Sequence, residues 1–194
     1  MGDIVLKKII IGGLVGAVLV YPVSFIWHMT TGLAEIGIKN LPDESILTTM
    51  HASIHEPGFY FFPYMDNSKH QSKEQMAAAQ AAYLVAYKRG PTGILIYTPG
   101  GTDLEFGKML TYQFLFGVVA ALLIAWILAL TAGSTTFATR ALIVLLISIL
   151  SGVVYDLPYW NWYGFPLDYT IAHMAGWIVS WGVAGLGMAA IVKR

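Results

Sequence analysis

Four long apolar segments constrain this chain more than any other feature. A helix needs about 20 apolar residues to cross the ~30 Å hydrocarbon core of a bilayer. Three of the segments reach that length, and the third in order is shorter, with an unbroken apolar run at 141–154. We therefore predict four membrane-spanning helices, over 9–27, 110–130, 137–155 and 171–192.

Composition sets the class of protein before any motif is considered. Only 11% of the 194 residues are charged, whereas a soluble domain carries about 25%. The 11 Lys and Arg are matched by 11 Asp and Glu, so the chain lacks the basic excess that nucleic-acid binding requires. It also has no cysteine, which excludes a disulfide-stapled secreted module. We therefore expect an integral membrane protein whose partners are the lipid bilayer and other membrane subunits, with no nucleic acid among them.

The basic residues predict the orientation of the helices. The link at 156–168 contains two Asp and no Lys or Arg, whereas short cytoplasmic loops are enriched in basic residues. The first apolar segment has 19 residues, more than the about 7–15 of a signal peptide, which predicts a retained anchor. We therefore predict a multi-pass protein of the bacterial inner membrane, with both termini cytoplasmic and residues 31–108 on the outer side. The cytoplasmic flank then holds Lys7, Lys8, Arg140, Lys193 and Arg194, and Arg140 is expected to extend its head toward water.

The segment between the first two spans is predicted to be a small folded domain. A helix is expected from 42–44 to 56–58, because Pro and acids favour a helix start and Pro-Gly a helix end. Ser72 and Gln75 form a capping-box pattern at the start of a second helix that reaches about Arg89. The aromatic and β-branched runs at 59–62 and 94–97 are typical of strands. This α-β-α-β order makes a marginal core, so we expect the domain to lean on the spans or on a partner.

The predicted fold class is therefore an all-α membrane protein: a four-transmembrane-helix bundle with a small α+β extracytoplasmic domain inserted between helices 1 and 2. Its parts are 1–30, the cytoplasmic N-terminus and first span; 31–108, the inserted domain; and 109–194, the other spans with a cytoplasmic C-terminus. Because helices in lipid associate through close approach, we expect packing along small residues spaced four apart. These are Gly12 and Gly16; Gly117, Ala121 and Ala125; Ser148 and Gly152; and Ala172, Gly176, Ser180 and Ala184.

Two histidines are the candidate cofactor ligands. His28 ends the first span and His173 begins the fourth, so both are expected at one depth near the outer boundary. Two facing imidazoles can ligate a haem, and a single one can hold a chlorophyll-type pigment. The other interpretation is a boundary histidine that is hydrogen-bonded to Asp156, Asp168 or water. The aromatic residues that crowd 155–169 are interpreted either as an interfacial belt or as the rim of a quinone or pigment site.

His51 and His55 are the candidate metal ligands. Their spacing, H-x-x-x-H, places two imidazoles on one face of a helix. His70, Asp66 and Glu56 are candidate third ligands. The pattern lacks the glutamate of the H-E-x-x-H hydrolase motif, so solvated histidines beside an amphipathic face are the alternative.

Three sequence motifs carry a resemblance that covers the whole chain. EPGFYFFP at 56–63, GPTG at 90–93 with YTPGG at 97–101, and WNWYGF at 160–165 resemble a group of small uncharacterised bacterial four-span membrane proteins. That group has no assigned activity, so the resemblance implies no functional residue.

Function is predicted mainly from what the chain lacks. It has no nucleophile elbow and no phosphate-binding loop, and no ionisable residue at mid-membrane depth, where transporters place polar groups. We expect a non-catalytic accessory subunit of a larger inner-membrane assembly, respiratory or photosynthetic, with or without a cofactor. One alternative is a tetrapyrrole- or quinone-binding redox or pigment protein that uses His28 and His173. Another is an extracytoplasmic metal-binding enzyme or sensor that uses His51 and His55.

Overall fold

A computed structural model describes residues 2–69 and 72–193 of the chain, which are mostly helical. The long helices are α1 (Asp3–Met29), α4 (Phe106–Thr131), α5 (Phe137–Tyr163) and α6 (Leu167–Ile191). Between α1 and α4 lie α2 (Ser45–Ser53), strand β1 (Gly58–Phe62), α3 (Lys73–Arg89) and strand β2 (Gly93–Tyr97).

All four long helices have the length and the composition to cross a membrane, which confirms a multi-pass membrane protein. The predicted loop at 156–168 is wrong, since α5 continues through Tyr163 and only 164–166 link it to α6. α5 ends where Gly164 adopts a left-handed conformation, with φ of 73°, which glycine tolerates at no steric cost. The aromatic residues from Tyr155 to Tyr163 therefore lie on the last turns of a helix, while Phe165 lies in the link.

The four long helices are ordered α4, α1, α6, α5 by their mutual contacts, with α4 and α5 meeting over few residues. We call the end formed by the starts of α1 and α5 and the finish of α4 and α6 the basic end, and the opposite end the aromatic end. The buried core concentrates toward the basic end, where it includes Ile9, Ala125, Leu128, Val144, Met188 and Val192.

Small residues set the helix-to-helix distance, as predicted. Gly12, Gly13 and Gly16 of α1 are buried against α4 and α6. A methyl group on Gly13 would lie 3.0 Å from the Cα atom of Leu122, which is backbone and cannot rotate away. The predicted stripes on the other spans are buried too, except that Gly117 is half-buried.

Arg140 is buried inside the bundle, so the predicted extension of its head toward water is wrong. Only 5% of the residue is exposed. Its Nε donates to the Ala189 carbonyl at 3.1 Å, and its Nη1 donates to the Thr135 carbonyl at 2.6 Å. The last carbonyls of α6 have no partner within the helix and carry partial negative charge. A cation that donates to one of them therefore interacts favourably with this end of the helix.

Residues 40–104 form a separate compact unit, while the chain through Lys39 and from Glu105 groups with the long helices. The strands pair antiparallel, with Phe59 opposite Ile96. The capping box at Ser72 and Gln75 is present at the start of α3. The predicted α-β-α-β order is therefore confirmed.

α2 is shorter than predicted at both ends. The Asp43 carboxylate accepts from the Ser45 backbone N–H at 2.8 Å, which holds 43–45 in a turn before the helix. Ile54 is already extended, with φ of −118° and ψ of 109°. His55 therefore follows the end of the helix. In the 40–104 unit as a whole, no described residue is fully buried.

The glycine contacts predict opposite effects for two matched substitutions. Gly13→Ala forces a methyl group against the Leu122 backbone, and overpacking of this kind costs about 1–3 kcal/mol. Gly182→Ala, on α6, meets only the Leu145 Cδ1 at 3.9 Å and gains helix propensity. We expect Gly13→Ala to unfold at a lower temperature than the unsubstituted protein in mild detergent, and Gly182→Ala to match or exceed it. Equal melting temperatures for the two variants would contradict this packing.

Candidate functional site

The aromatic half of the bundle contains a half-open cavity of about 670 Å³, lined by all four long helices. α4 contributes residues between 106 and 120, and α5 contributes residues between 151 and 156. The core residues of the same helices lie nearer the basic end. The bundle is therefore packed in one half and hollow in the other.

The cavity wall is mainly apolar and aromatic. None of the described residues that line it is a lysine or an arginine. Its polar side chains include His28, Asp156 and His173, so the two histidines predicted as a pair line one cavity. The aromatic residues of the wall are Tyr21, Phe25, Phe106, Phe114, Phe116, Tyr155, Trp177 and Trp181.

His173 is held by hydrogen bonds at both ring nitrogens. Its Nδ1 lies 2.7 Å from Asp156 Oδ1, and its Nε2 accepts from the Trp177 indole N–H at 3.2 Å. Because an indole N–H can only donate, Nε2 of His173 carries no proton. The proton of the neutral ring is therefore on Nδ1 and is donated to the carboxylate. The predicted hydrogen bond between a boundary histidine and Asp156 is confirmed.

His28 has one occupied and one free nitrogen. Its Nδ1 lies 2.8 Å from the backbone oxygen of Ser24, one turn earlier on α1. Since a carbonyl oxygen can only accept, Nδ1 donates, and Nε2 of the neutral ring is an acceptor. Among the described residues, Nε2 of His28 has no hydrogen-bond partner.

A series of aromatic rings supports His173 from the aromatic end. Tyr169 stacks on the imidazole, with the ring centroids 5.7 Å apart and the planes 17° from parallel. Phe165 packs on Tyr169, and Tyr159 packs on Phe165. The crowd of aromatic residues that the sequence displays therefore includes a stack that fixes the plane of the His173 ring.

A second, smaller cavity of about 200 Å³ adjoins the same histidines. It shares Ser24, His28, His173 and Trp177 with the larger cavity. Its wall also includes Ala34 from the segment after α1. The two imidazoles thus border both cavities.

The imidazole nitrogens available as metal ligands differ from the two facing imidazoles predicted to ligate a haem. Nε2 of His173 is occupied by Trp177, so an iron bound there requires the indole to move away. His28 offers a free Nε2, and its Nδ1 bond to a backbone carbonyl is the orientation typical of a metal-ligating histidine. The cavity therefore presents one free imidazole nitrogen rather than two.

The predicted metal ligands lie in the 40–104 unit. His51 is on α2 and His55 follows its end, so the two do not share a helical face, and His70 lies outside the described residues. Asp66 accepts from Ser68, and this hydrogen bond, with a contribution from Lys69, lowers the pKa of Asp66. Across residues 2–69 and 72–193, no three His, Asp or Glu gather closely enough to hold a metal ion.

Comparison of the chain with protein-family models, with curated proteins and with solved structures found no match. The site therefore has to be interpreted from its own geometry.

Trp177, which sequence reasoning missed, lies four residues after His173, a spacing that places the two on one helical face.

The hydrogen-bond partners predict which nitrogen of each cavity histidine carries the proton. At pH 8.5 we expect both His28 and His173 to be protonated at Nδ1, because the nearest partners, the Ser24 backbone carbonyl and the Asp156 carboxylate, can only accept. Solution NMR of the imidazole ¹⁵N shifts in detergent measures this directly, with His51, which has no such partner among the described residues, as the internal reference. A proton on Nε2 of His173 would contradict the bond from Trp177.

Proposed function

We propose that this protein binds a lipophilic molecule of the quinone class, whose ring sits in the cavity with its polar edge toward His28 and the His173–Asp156 pair. The observation that carries the proposal is the large, mainly apolar cavity that both histidines line. Ligand sites of this kind combine a mainly apolar wall with a few polar groups that fix orientation.

The size and the charge of the cavity support this ligand class. Its volume of about 670 Å³ falls within the roughly 300–1,000 Å³ of small-molecule sites. The absence of a basic residue among the described lining residues disfavours anionic ligands, which require a compensating cation. A neutral ring compound with an apolar tail satisfies both conditions.

We further propose that the cavity faces the outer half of a bacterial inner membrane, with residues 31–108 outside and both termini in the cytoplasm. Lys8, Arg140 and Lys193 lie together at the basic end, where Lys8 and Arg140 bind carbonyls near the end of α6. The positive-inside rule assigns such an end to the cytoplasm. Arg194, the remaining predicted basic residue of this flank, lies outside the described residues.

Binding of a short-chain quinone tests the ligand proposal. Trp177 and Trp181 line the cavity, so we expect the ligand to quench tryptophan fluorescence saturably in lipid nanodiscs. Gly117→Leu fills the cavity from α4, and we expect it to weaken binding by about tenfold or more. His51→Ala, a histidine outside the cavity, is the matched control and should bind like the unsubstituted protein. Quenching that does not saturate, or that Gly117→Leu leaves unchanged, would sink the proposal.

A second role, as a docking subunit of a membrane assembly, is supported by a different observation. The 40–104 unit contains no fully buried residue among those described. Its sheet also exposes apolar side chains, with Phe59 51% and Ile96 79% exposed. A folded unit of this length usually buries an apolar core. A partner surface that covers the sheet would supply the missing burial.

Cross-linking in sealed, right-side-out vesicles tests the docking role and the orientation together. A membrane-impermeant amine reagent should modify Lys69, Lys73 and Lys88 of the 40–104 unit, and should reach Lys7 and Lys8 only after permeabilisation.

We expect a discrete cross-linked product that Phe59→Ser with Ile96→Ser abolishes. Tyr64→Ser removes another exposed aromatic side chain, which lies outside the strands, and should leave the product intact. A chain that stays monomeric in native membranes rejects the docking role, and modification of Lys7 in sealed vesicles rejects the orientation.

A further inference from the structure

We infer that the polar end of the cavity selects the hydroxyl-bearing, reduced form of its ligand, a quinol, over the oxidised quinone. The inference rests on the proposed function and specifies which chemical form the same site takes. It follows from counting the hydrogen-bond donors and acceptors that the site still has free.

The donors at this end are already used within the protein. The His28 N–H is donated to the Ser24 carbonyl. The Trp177 N–H is donated to His173, and the His173 N–H is donated to Asp156. Each of these groups has one proton to give in its neutral state. None of the three is therefore free for a ligand carbonyl.

The groups that His28 and the His173–Asp156 pair leave free are acceptors. Nε2 of His28 has no partner among the described residues. The Asp156 carboxylate has a second oxygen, Oδ2, beyond the one that binds His173, and its side chain is 15% exposed. An ionised carboxylate accepts only, so both positions require a donor from the ligand.

A quinol and a quinone differ in whether they can donate a hydrogen bond to these acceptors. A quinol carries two hydroxyl groups that donate, whereas the carbonyl oxygens of a quinone only accept. The quinone would set its oxygen lone pairs against those of the exposed His28 or of Asp156, whose side chain is 15% exposed. An acceptor left unpaired at a largely buried group such as Asp156 is unfavourable.

Other polar side chains of the wall do not reverse this preference. Tyr21, Tyr155 and Gln113 line the cavity, and each can both donate and accept. Trp181 lines it too, and its indole N–H can donate to a quinone carbonyl or to a quinol hydroxyl oxygen. They can therefore bind either form of the ligand. The difference between the two forms then depends on His28 and Asp156.

Binding measurements on matched analogues test the inference without any redox step. We would compare a short-chain quinol, the quinone and the quinol dimethyl ether, which keeps the ring but has no hydroxyl proton, anaerobically at pH 8.5 in nanodiscs. We expect the quinol to bind about tenfold more tightly than either analogue. His28→Leu should lower that ratio to the part that Asp156 supplies, while quinone binding is retained, and His51→Leu should preserve the ratio.

If His28→Leu does not fold, a spectroscopic measurement tests the same inference. In the unsubstituted protein, the quinol should shift the ¹⁵N resonance of His28 Nε2 as that atom accepts a hydrogen bond, and the dimethyl ether should not. If quinone and quinol bind equally, or the quinone binds more tightly, the selectivity is wrong and the quinone-class function stands. If none of the three compounds binds saturably, both proposals fail.

Discussion

The close approach of α1 to its two neighbours is the contact on which the bundle depends. Lipid tails are as apolar as leucine, so burying an apolar side chain against another helix gains little, and tight backbone contact has to hold the helices together. Gly12, Gly13 and Gly16 supply that contact on a single face of α1. Beyond Ala17, α1 presents larger side chains to the same interior, among them Val20, Tyr21, Phe25 and His28. The packed half and the hollow half of the bundle therefore follow from one change in residue size along one helix.

The sequence predicts the helices better than it predicts where they end. Mean hydropathy reports which residues prefer hydrocarbon, and that preference locates all four spans. Hydropathy contains no information on backbone conformation. The polar and aromatic residues 156–163 are therefore predicted as a loop, although they continue α5. Helix ends depend on individual residues, such as the left-handed Gly164 and the capping Ser72. Only the capping box carries a sequence pattern specific enough to predict an end.

The candidate site shows the same division. Depth along the helices correctly placed His28 and His173 at one level, because helix rise converts sequence position into distance. Trp177 occupies one nitrogen of His173, while His28 keeps one nitrogen free. This arrangement depends on how each helix is rotated about its own axis. That rotation is set by packing between helices distant in sequence. For Arg140, likewise, its partner at Ala189 is on another helix, 49 residues away. No local pattern in the sequence records these pairings.

Both ends of the bundle obey the rule that polar groups in an apolar medium must be paired, and they obey it with different consequences. At the basic end, the carbonyls near the finish of α6 are the unpaired groups, and the long cationic side chains of Arg140 and Lys8 reach in to donate to carbonyls there. At the aromatic end the ring N–H groups find acceptors within one helical turn or on the neighbouring helix. Once those donors are satisfied, the atoms that His28 and Asp156 leave free are acceptors. The polar groups of the site are therefore paired without a ligand, and the selectivity that we propose would come from the acceptors that remain.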